Sequence, residues 1–497
     1  MAEVQTQPAS VRLHGRTVDL AGRVEAGLDV PAALTRLAHR PGLVALESAS
    51  GVPGRWSLVA FDPVRRFAAP GATPEERRGD PGSLAELGAL IEGWDWVGDL
   101  PPGPFCGGFI GALSYELGAA DEALPLPAAV WPQPPIAGGM YRDWLVFEHD
   151  AAGRVLAAHL VTADRDGEED DGEARARAVL ADLDGKEAGW PERPAHGNPA
   201  HGLDVERTVP SAVHRGRVDR ARALIARGEI YQANLCHRLT ADVDGSALEL
   251  YLALRRSNPA PYMGYLGFRF EDGAEGALLS SSPELLLELE AADAGGGAGG
   301  RRARTRPIKG TIACGRDEVE DEAQRERLLG SAKDVAELAM IVDLERNDLG
   351  RISVPGGVEV GPFPRLESYR GLHHLVTDVT GAVRPGCRAV DVVAALFPGG
   401  SITGAPKLRS MEVIAEIEGE GRGFFTGSLG FIDARDRAVF NILIRTMIHR
   451  REPEGGGAVS FHVGGGVTWS SDAAAEDAET MLKAAAMIAA LGGSARE

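Results

Sequence analysis

Apolar residues at helical spacing dominate the second half of the chain. Between residues 211 and 228, Val213, Val218, Ala221, Leu224 and Ile225 share one face of a 3.6-residue repeat, with Ser211 placed to cap its start. Residues 332–349 repeat the pattern with Val335, Leu338, Ile341 and Val342 facing inward, and further helices are expected at 405–417 and 472–491. Apolar runs at 277–289, 424–432, 439–448 and 459–467 predict strands. The first 160 residues carry short apolar runs at 43–46, 56–61, 105–113 and 144–147, broken by Gly and Pro, which predicts a strand-rich region with few helices. The expected class is α+β with large, mainly antiparallel sheets.

The pattern fails at two places. Residues 163–206 hold an acidic run, Glu168 to Asp171, and then Gly- and Pro-rich text that cannot bury enough apolar surface to fold alone. This reads as a linker, with a boundary near residue 205 separating an N-terminal region, 1–205, from a second region, 206–497. The glycine run 295–300 matches GxGxxG literally, but no strand precedes it and arginines follow, so it reads as an insertion and not as a dinucleotide site.

Length and charge narrow the field. A chain of 497 residues has room for two or three domains, or one large one. With 52 Lys and Arg against 72 Asp and Glu, the net charge is −20, which disfavours nucleic acid and anionic membranes as partners. The four cysteines (Cys106, Cys236, Cys314, Cys387) form no CxxC pair, which fits a reducing compartment. Residues 1–11 lack an apolar leader, and no membrane-length apolar stretch is present, so a soluble, cytoplasmic protein is expected.

Two carboxylate pairs stand at i,i+3, Asp334 with Glu337 and Glu476 with Glu479, so each pair shares one helix face. Brought together, the two faces would offer hard oxygen ligands to Mg²⁺; left apart, they are solvated faces with local salt bridges. Spacing leaves both readings open. Glycine-rich turns at Gly310-Thr311, Gly399–Gly404 and Gly464–Gly466 could let backbone N–H groups approach an anion, although each taken singly reads as a tight turn. None carries the GxxxxGK[ST] pattern of a triphosphate site. Lys309 precedes one turn, Lys483 follows Glu479 by one helical turn, and Arg445 ends the apolar run 441–445. A buried guanidinium requires a partner, either a ligand carboxylate held in a bidentate fork or an internal acid. A desolvated lysine has a lowered pKa and can act as a nucleophile. His374, beside His373, reads alone as an ordinary core or surface residue.

Longer motifs are more specific. They comprise Gly228-Glu229-Ile230-Tyr231-Gln232-Ala233-Asn234-Leu235, Ser282-Pro283-Glu284, Arg306-Pro307-Ile308-Lys309-Gly310-Thr311, the run from Ala336 to Leu349, and Phe397 to Lys407 with Gly464-Gly465-Gly466. In this order they resemble the chorismate-utilising enzymes: anthranilate synthase component I, aminodeoxychorismate synthase component I and their isochorismate- and salicylate-forming relatives. The N-terminal half matches more thinly, at Leu46-Glu47-Ser48, at 54–57 and at 104–111.

The resemblance implies an anthranilate synthase component I-like fold, two large antiparallel sheets face to face with helices outside and the pocket between. It implies Mg²⁺ held by Glu337 and Glu479, with Asp334 and Glu476 in water-mediated support, and chorismate bound through its ring carboxylate. Gln232, Gly310, Thr311, Thr403 and Phe425 would line the substrate pocket, together with Arg445, Gly464, Gly465, Gly466 and Lys483. Phe425 stands where the family often has Tyr.

Gln232 occupies the place of the lysine that activates water in the isochorismate and salicylate enzymes, so ammonia is the expected nucleophile. Lys309 replaces the alanine of the anthranilate synthase motif. It matches the lysine of aminodeoxychorismate synthase, which attacks C2 and expels the 4-hydroxyl before ammonia enters at C4. Leu338, where anthranilate synthases usually carry His, points the same way. Glu284 matches the general acid, and His374 matches a histidine that assists pyruvate loss in the anthranilate branch. The expected activity is aminodeoxychorismate synthase component I, serving p-aminobenzoate and folate or secondary metabolism. Anthranilate synthase and 2-amino-2-deoxyisochorismate synthase are the alternatives, and a silent glutaminase-binding subunit is a remote one. No Gly-x-Cys-x-Gly nucleophile turn is present, so a separate glutamine amidotransferase would supply ammonia. Glu47, Ser48, Arg55 and Trp56, with Pro261, Tyr262 and Met263, resemble the family's tryptophan pocket; ordinary core packing is the other reading.

Overall fold

Alternate side chains along the strands face two different cores, and this fixes the architecture. In the strand Asp143–His149, Trp144 and Val146 join an apolar cluster with Ile110 and Phe431, whereas Leu145 and Phe147 join another with Leu250 and Ile488. The first cluster lies between two sheets and the second between a sheet and its covering helices. The computed structural model describes residues 11–48, 55–68, 80–120, 122, 124–167, 171–185, 203–290, 300–369, 372–451 and 456–496.

A 14-stranded sheet and a 9-stranded sheet pack through the inter-sheet cluster, and a 3-stranded sheet stands beside them. Nearly all pairings are antiparallel; Val11–Asp19 with Trp94–Val97, and Asp204–Arg207 with Ser494–Arg496, are parallel. Helices Val30–Arg36, Gly172–Asp184, Ala247–Ser257 and Ala473–Ala490 cover the outer face of the large sheet. Leu84–Ile91, Ala332–Gly350 and Ala389–Leu396 cover the second sheet. The expected sheet-on-sheet arrangement with helices outside is therefore observed. In both large sheets the strands before residue 205 form one contiguous block joined edge to edge to the block that follows it, Val44–Glu47 pairing with Tyr262–Arg269 in the first sheet and Gly108–Leu113 with Ser428–Asp433 in the second. No helix among the described residues is long and apolar enough to cross a membrane.

Several elements differ from expectation. Within the expected linker, Gly172–Asp184 is a helix capped by the Asp171 carboxylate, which accepts the Glu173 amide at 2.9 Å, and it buries Ala176, Val179 and Leu183. Its helical spacing is diluted by the arginines and acids around it. Residues 168–170 and 186–202, and the glycines 295–299, lie outside the described residues. Ser211 opens the helix Ser211–Ala226 without capping it and donates its hydroxyl to Asp477 instead. Val218, Ala221 and Leu224 form the buried stripe as expected and Ile225 is half-buried, but His214 takes the inward place at its start and Val213 is 50% exposed.

The run 277–289 is two strands, Glu275–Ser282 in the large sheet and Leu285–Leu289 in the second. The run 439–448 likewise divides into Ala438–Asn441 and Thr446–Arg451, and Arg445 lies in the break rather than in a strand. The strand expected from 424 begins at Ser428.

The inter-sheet core predicts the cost of its largest member. Trp144 is fully buried and meets Phe105 edge-on at 5.0 Å. Trp144→Ala should cost roughly 3–5 kcal/mol, read as a lowered urea midpoint with retained secondary structure.

Candidate active site

The two broken runs cross from the large sheet to the second side by side. Glu275–Ser282 pairs with Thr446–Arg451 before the crossing, and Leu285–Leu289 pairs with Ala438–Asn441 beyond it. The crossings are stitched together. Ser281 donates its amide to the Arg445 carbonyl at 3.0 Å, Ile442 donates to the Glu284 carbonyl at 3.0 Å, and the Ser282 hydroxyl donates to the Ile442 carbonyl at 2.5 Å. Arg445 has φ 51°, and Thr426, whose amide donates to Leu443, has φ 60°. Such conformations cost non-glycine residues about 1–3 kcal/mol each and persist only where the surroundings over-determine them. Here they take Arg445 out of the strand ladder beside Glu284.

The third sheet supplies the lysine. Strand Ile308–Ala313 pairs with Leu372–Val376, with a bulge at Gly310, whose φ of 72° suits glycine. The bulge sets Thr311 opposite His374, and the Thr311 hydroxyl meets His374 Nδ1 at 2.9 Å. Lys309 donates its ammonium to the Ser401 carbonyl at 3.3 Å; that carbonyl also accepts from the Asn234 amide group at 3.1 Å.

Burial raises the pKa of Glu284, overriding the opposing influence of Lys309, Ser401, the Ile308 amide and Arg445. Burial lowers that of Lys309 in the same way, against the pull of Glu284 and Glu337 and with help from Lys483. Both groups are thus driven toward their neutral forms. Glu284 Oε1 is buried without a hydrogen-bond partner. Burial, with Arg445 and His373 nearby, holds His374 down to about 4, so its imidazole is neutral at pH 7.

The two carboxylate pairs do meet. Lys333 Nζ lies 3.9 Å from Glu337 Oε1 and 3.7 Å from Glu476 Oε1, linking the two helices. Glu476 is buried and accepts the Ser471 hydroxyl at 2.7 Å. Glu479 is half-exposed and paired with Lys483 at 2.8 Å. Burial pushes Glu337 up against the pull of Lys309 and Lys333, with Asp334 and Glu476 adding to the rise, and its Oε1 is a buried oxygen without a hydrogen-bond partner. Burial also raises Glu479, but Lys483, Lys333 and Lys309 outweigh it and hold that group below its ordinary value. Asp334 accepts the Ser331 hydroxyl. Glu337, with its unpartnered oxygen, and Glu476 thus approach each other across Lys333, and carboxylate oxygens are the donors a hard divalent cation takes. Among the described residues, however, the only group of three or more acid, His or Cys side chains with ligand atoms all within 4.8 Å of one another is Cys314, Asp321 and His373.

The glycines of strand Gly457–Val467 close one side. Lys483 donates to the Gly464 carbonyl at 3.1 Å, and a β-carbon on Gly465 would sit 3.3 Å from Glu476 Oε2. A β-carbon on Gly466 would strike the Gln232 amide at 2.7 Å. Gln232 is fully buried, and neither Oε1 nor Nε2 has a hydrogen-bond partner. A carboxamide left in that state suits a polar ligand.

A family model described as chorismate binding enzyme matches residues 51–489. The chain belongs to this family. It is 34% identical to "Anthranilate synthase component 1 3" of Haloarcula marismortui over 90% of this chain and 85% of that one. It is 33% identical to "Aminodeoxychorismate synthase component 1" of Bacillus subtilis over 91% and 92%. The solved anthranilate synthase component I of Streptococcus pneumoniae superposes with a TM-score of 0.70 at 28% identity, covering 88% of this chain and 92% of that one.

Within this chorismate-binding enzyme, the site residues inferred from sequence divide into groups. Lys309, Glu284, Thr311, His374 and Arg445 converge at the crossing, and Glu337, Glu476, Glu479 and Lys483 converge beside it. Thr403 spends its hydroxyl on the Gly399 carbonyl at 3.0 Å, holding the turn that carries Ser401. Phe425 stacks on His462 at 4.7 Å and 14°, with the Arg422 guanidinium 5.7 Å from its ring.

The tryptophan-pocket motifs are brought together by pairing of Glu47 with Met263, and the Ser48 hydroxyl donates to the Pro261 carbonyl at 3.2 Å. The Glu47 carboxylate is engaged internally, accepting from Tyr251 and from Arg255 at 2.7 Å. Arg55 pairs with Glu148 and lies 5.0 Å from the Trp56 ring. Tyr262 returns its carbonyl to the Asn441 amide group at 2.9 Å, next to the crossing.

Sequence reasoning overlooked Ser401 and Lys333. Ser401 lay inside a turn read only for its glycines. Lys333 stands one helical turn before Glu337, a spacing that signals an ion pair.

The raised Glu284 carboxyl carries a stability prediction. A carboxyl that holds its proton more tightly folded than unfolded loses stability as pH rises above its ordinary 4.5 toward the folded value. Glu284→Gln should therefore be at least as stable as wild type, with a margin that widens over that range in urea unfolding at several pH values. A uniform loss at every pH would make Glu284 a structural acceptor instead.

Proposed function

We propose that this chain is component I of an aminodeoxychorismate synthase, converting chorismate and ammonia to 4-amino-4-deoxychorismate. The observation that carries this reading is the Lys309–Glu284 pair: an amine and a carboxyl, both desolvated by burial and both pushed toward neutrality. That is the state covalent substitution requires, with a free amine as nucleophile and a proton on the acid.

Lys309 bonds to C2 of the ring as the double bonds shift and the C4–O bond breaks. Glu284 gives its proton to the departing hydroxyl, which leaves as water, and the resulting carboxylate takes the proton released from the new C–N link. Ammonia then bonds to C4 with the reverse shift and frees the Lys309 amine. Gln232 has no basic atom with which to activate water, which favours ammonia as nucleophile. Arg445 offers a guanidinium to a substrate carboxylate, and the Thr311 hydroxyl is oriented by neutral His374. Lys483 and the Gly464–Gly466 strand close the carboxylate side of the pocket.

Glu337 and Glu479 would hold Mg²⁺, with Asp334 and Glu476 behind them; when bound, the ion offers positive charge to the ring carboxylate. Ammonia would come from a separate glutamine amidotransferase subunit, as the component I relatives suggest. Tryptophan binding near Glu47 would require the Arg255 and Tyr251 contacts to rearrange.

Anthranilate formation is the second reading. It is favoured by relatives carrying that name at similar identity, whereas His374, buried beside Thr311, suits either branch. Mass spectrometry of products from chorismate, Mg²⁺ and an ammonium salt separates the two. Wild type should yield aminodeoxychorismate, and Lys309→Ala should lower its rate by about a hundredfold or more. Anthranilate with pyruvate from wild type, or unchanged aminodeoxychorismate from Lys309→Ala, would overturn the proposal.

A further inference from the structure

We propose that Lys333 is the resident counter-charge of the carboxylate cluster and that a divalent cation binds by displacing it. This rests on the reading of Glu337 and Glu479 as cation ligands. Glu337 on the helix Ala332–Gly350 and Glu476 on the helix Ala473–Ala490 both stand within 4 Å of the Lys333 ammonium, and two carboxylates so placed repel each other unless positive charge stands near them.

Lys309 supplies part of that charge from the crossing side, and Lys333 supplies the part shared by both helices, from the first turn of its own. Its ammonium stands 3.9 Å from Glu337 Oε1 and 3.7 Å from Glu476 Oε1, beyond hydrogen-bonding reach of both. It neutralises one oxygen from each helix without saturating either, and Glu337 Oε1 keeps its lone pairs uncommitted.

The hold is loose. The Lys333 side chain is 50% exposed, so it can swing into solvent without uncovering a core. Lys483 differs, because it is tied to Glu479 at 2.8 Å and to the Gly464 carbonyl at 3.1 Å. A doubly charged ion seated on Glu337 would stand close to the Lys333 ammonium and repel it outward. Cation affinity is then the outcome of a competition with a tethered amine, and Lys333 sets the metal concentration at which the site fills.

The test is Mn²⁺ binding to the full chain without chorismate, followed by electron paramagnetic resonance of the free ion, in wild type, Lys333→Met, Lys333→Arg and Glu337→Gln. Methionine keeps the apolar stem and removes the charge. Lys333→Met should bind Mn²⁺ about threefold to tenfold more tightly, and Lys333→Arg should stay close to wild type. Without metal, Lys333→Met should melt below wild type and gain more from added Mg²⁺. If Glu337→Gln weakens binding while Lys333→Met binds no tighter than wild type, the displacement idea is wrong and the site stands. If Glu337→Gln binds Mn²⁺ as wild type does, the site itself is wrong and the displacement idea falls with it.

Discussion

The paired crossing of two antiparallel segments between the sheets is the constraint on which the site depends. Strands within a sheet spend their backbone groups on neighbours and turn side chains into packed cores, leaving little room for chemistry. Where Ser282–Leu285 and Ile442–Arg445 change sheets together, both ladders lapse and the two segments satisfy each other instead. Glu284 and Arg445 emerge at that lapse. The left-handed backbone at Arg445 and Thr426 is held by packing on both sides, so the strain is borne by the whole sandwich.

Around that point the charge pattern inverts the character of the molecule. A chain of net charge −20 gathers Lys309, Lys333, Lys483 and Arg445 near four carboxylates, which makes a local site for an anionic ligand inside an acidic protein. Burial sorts the members. The deepest acid and amine are driven toward neutrality, whereas half-exposed Glu479 is kept charged by its lysines. One pocket thus holds a proton donor and a nucleophile at the crossing and hard anionic oxygens beside it.

The face-to-face sheets and most helices were legible in the amino-acid pattern, because long apolar runs and inward stripes such as Leu338, Ile341 and Val342 have few other uses. The crossings were not. Residues 277–289 and 439–448 are mostly apolar, and apolarity alone does not say to which sheet each half belongs; the polar residues in their middles, Ser280 to Glu284 with Pro283 and Asn441 with Arg445, were the available hints. The helix Gly172–Asp184 was hidden by charged residues on its outer face, and its neutralising cap, Asp171, sat inside an acidic run read as solvated.

In the site, motif matching found the ionisable side chains but not what holds them. Ser401 acts through its carbonyl, which side-chain chemistry does not announce, and Lys333 acts through two acids on separate helices, only one of which is near it in sequence. Phe425 was chosen by motif position, and its ring is stacked against His462, a partner from a distant strand. Side chains whose partners are local were readable; those whose partners arrive through the sandwich were not.

The central claim is that the crossing and the bulged strand set Lys309 for covalent attack. The most direct measurement is the intact mass of the protein after incubation with chorismate and Mg²⁺ without ammonia, followed by peptide mapping. The account predicts a mass gain of one chorismate less one water, located on Lys309 and discharged by adding ammonium. Unmodified protein throughout, with anthranilate and pyruvate accumulating once ammonium is present, would contradict it.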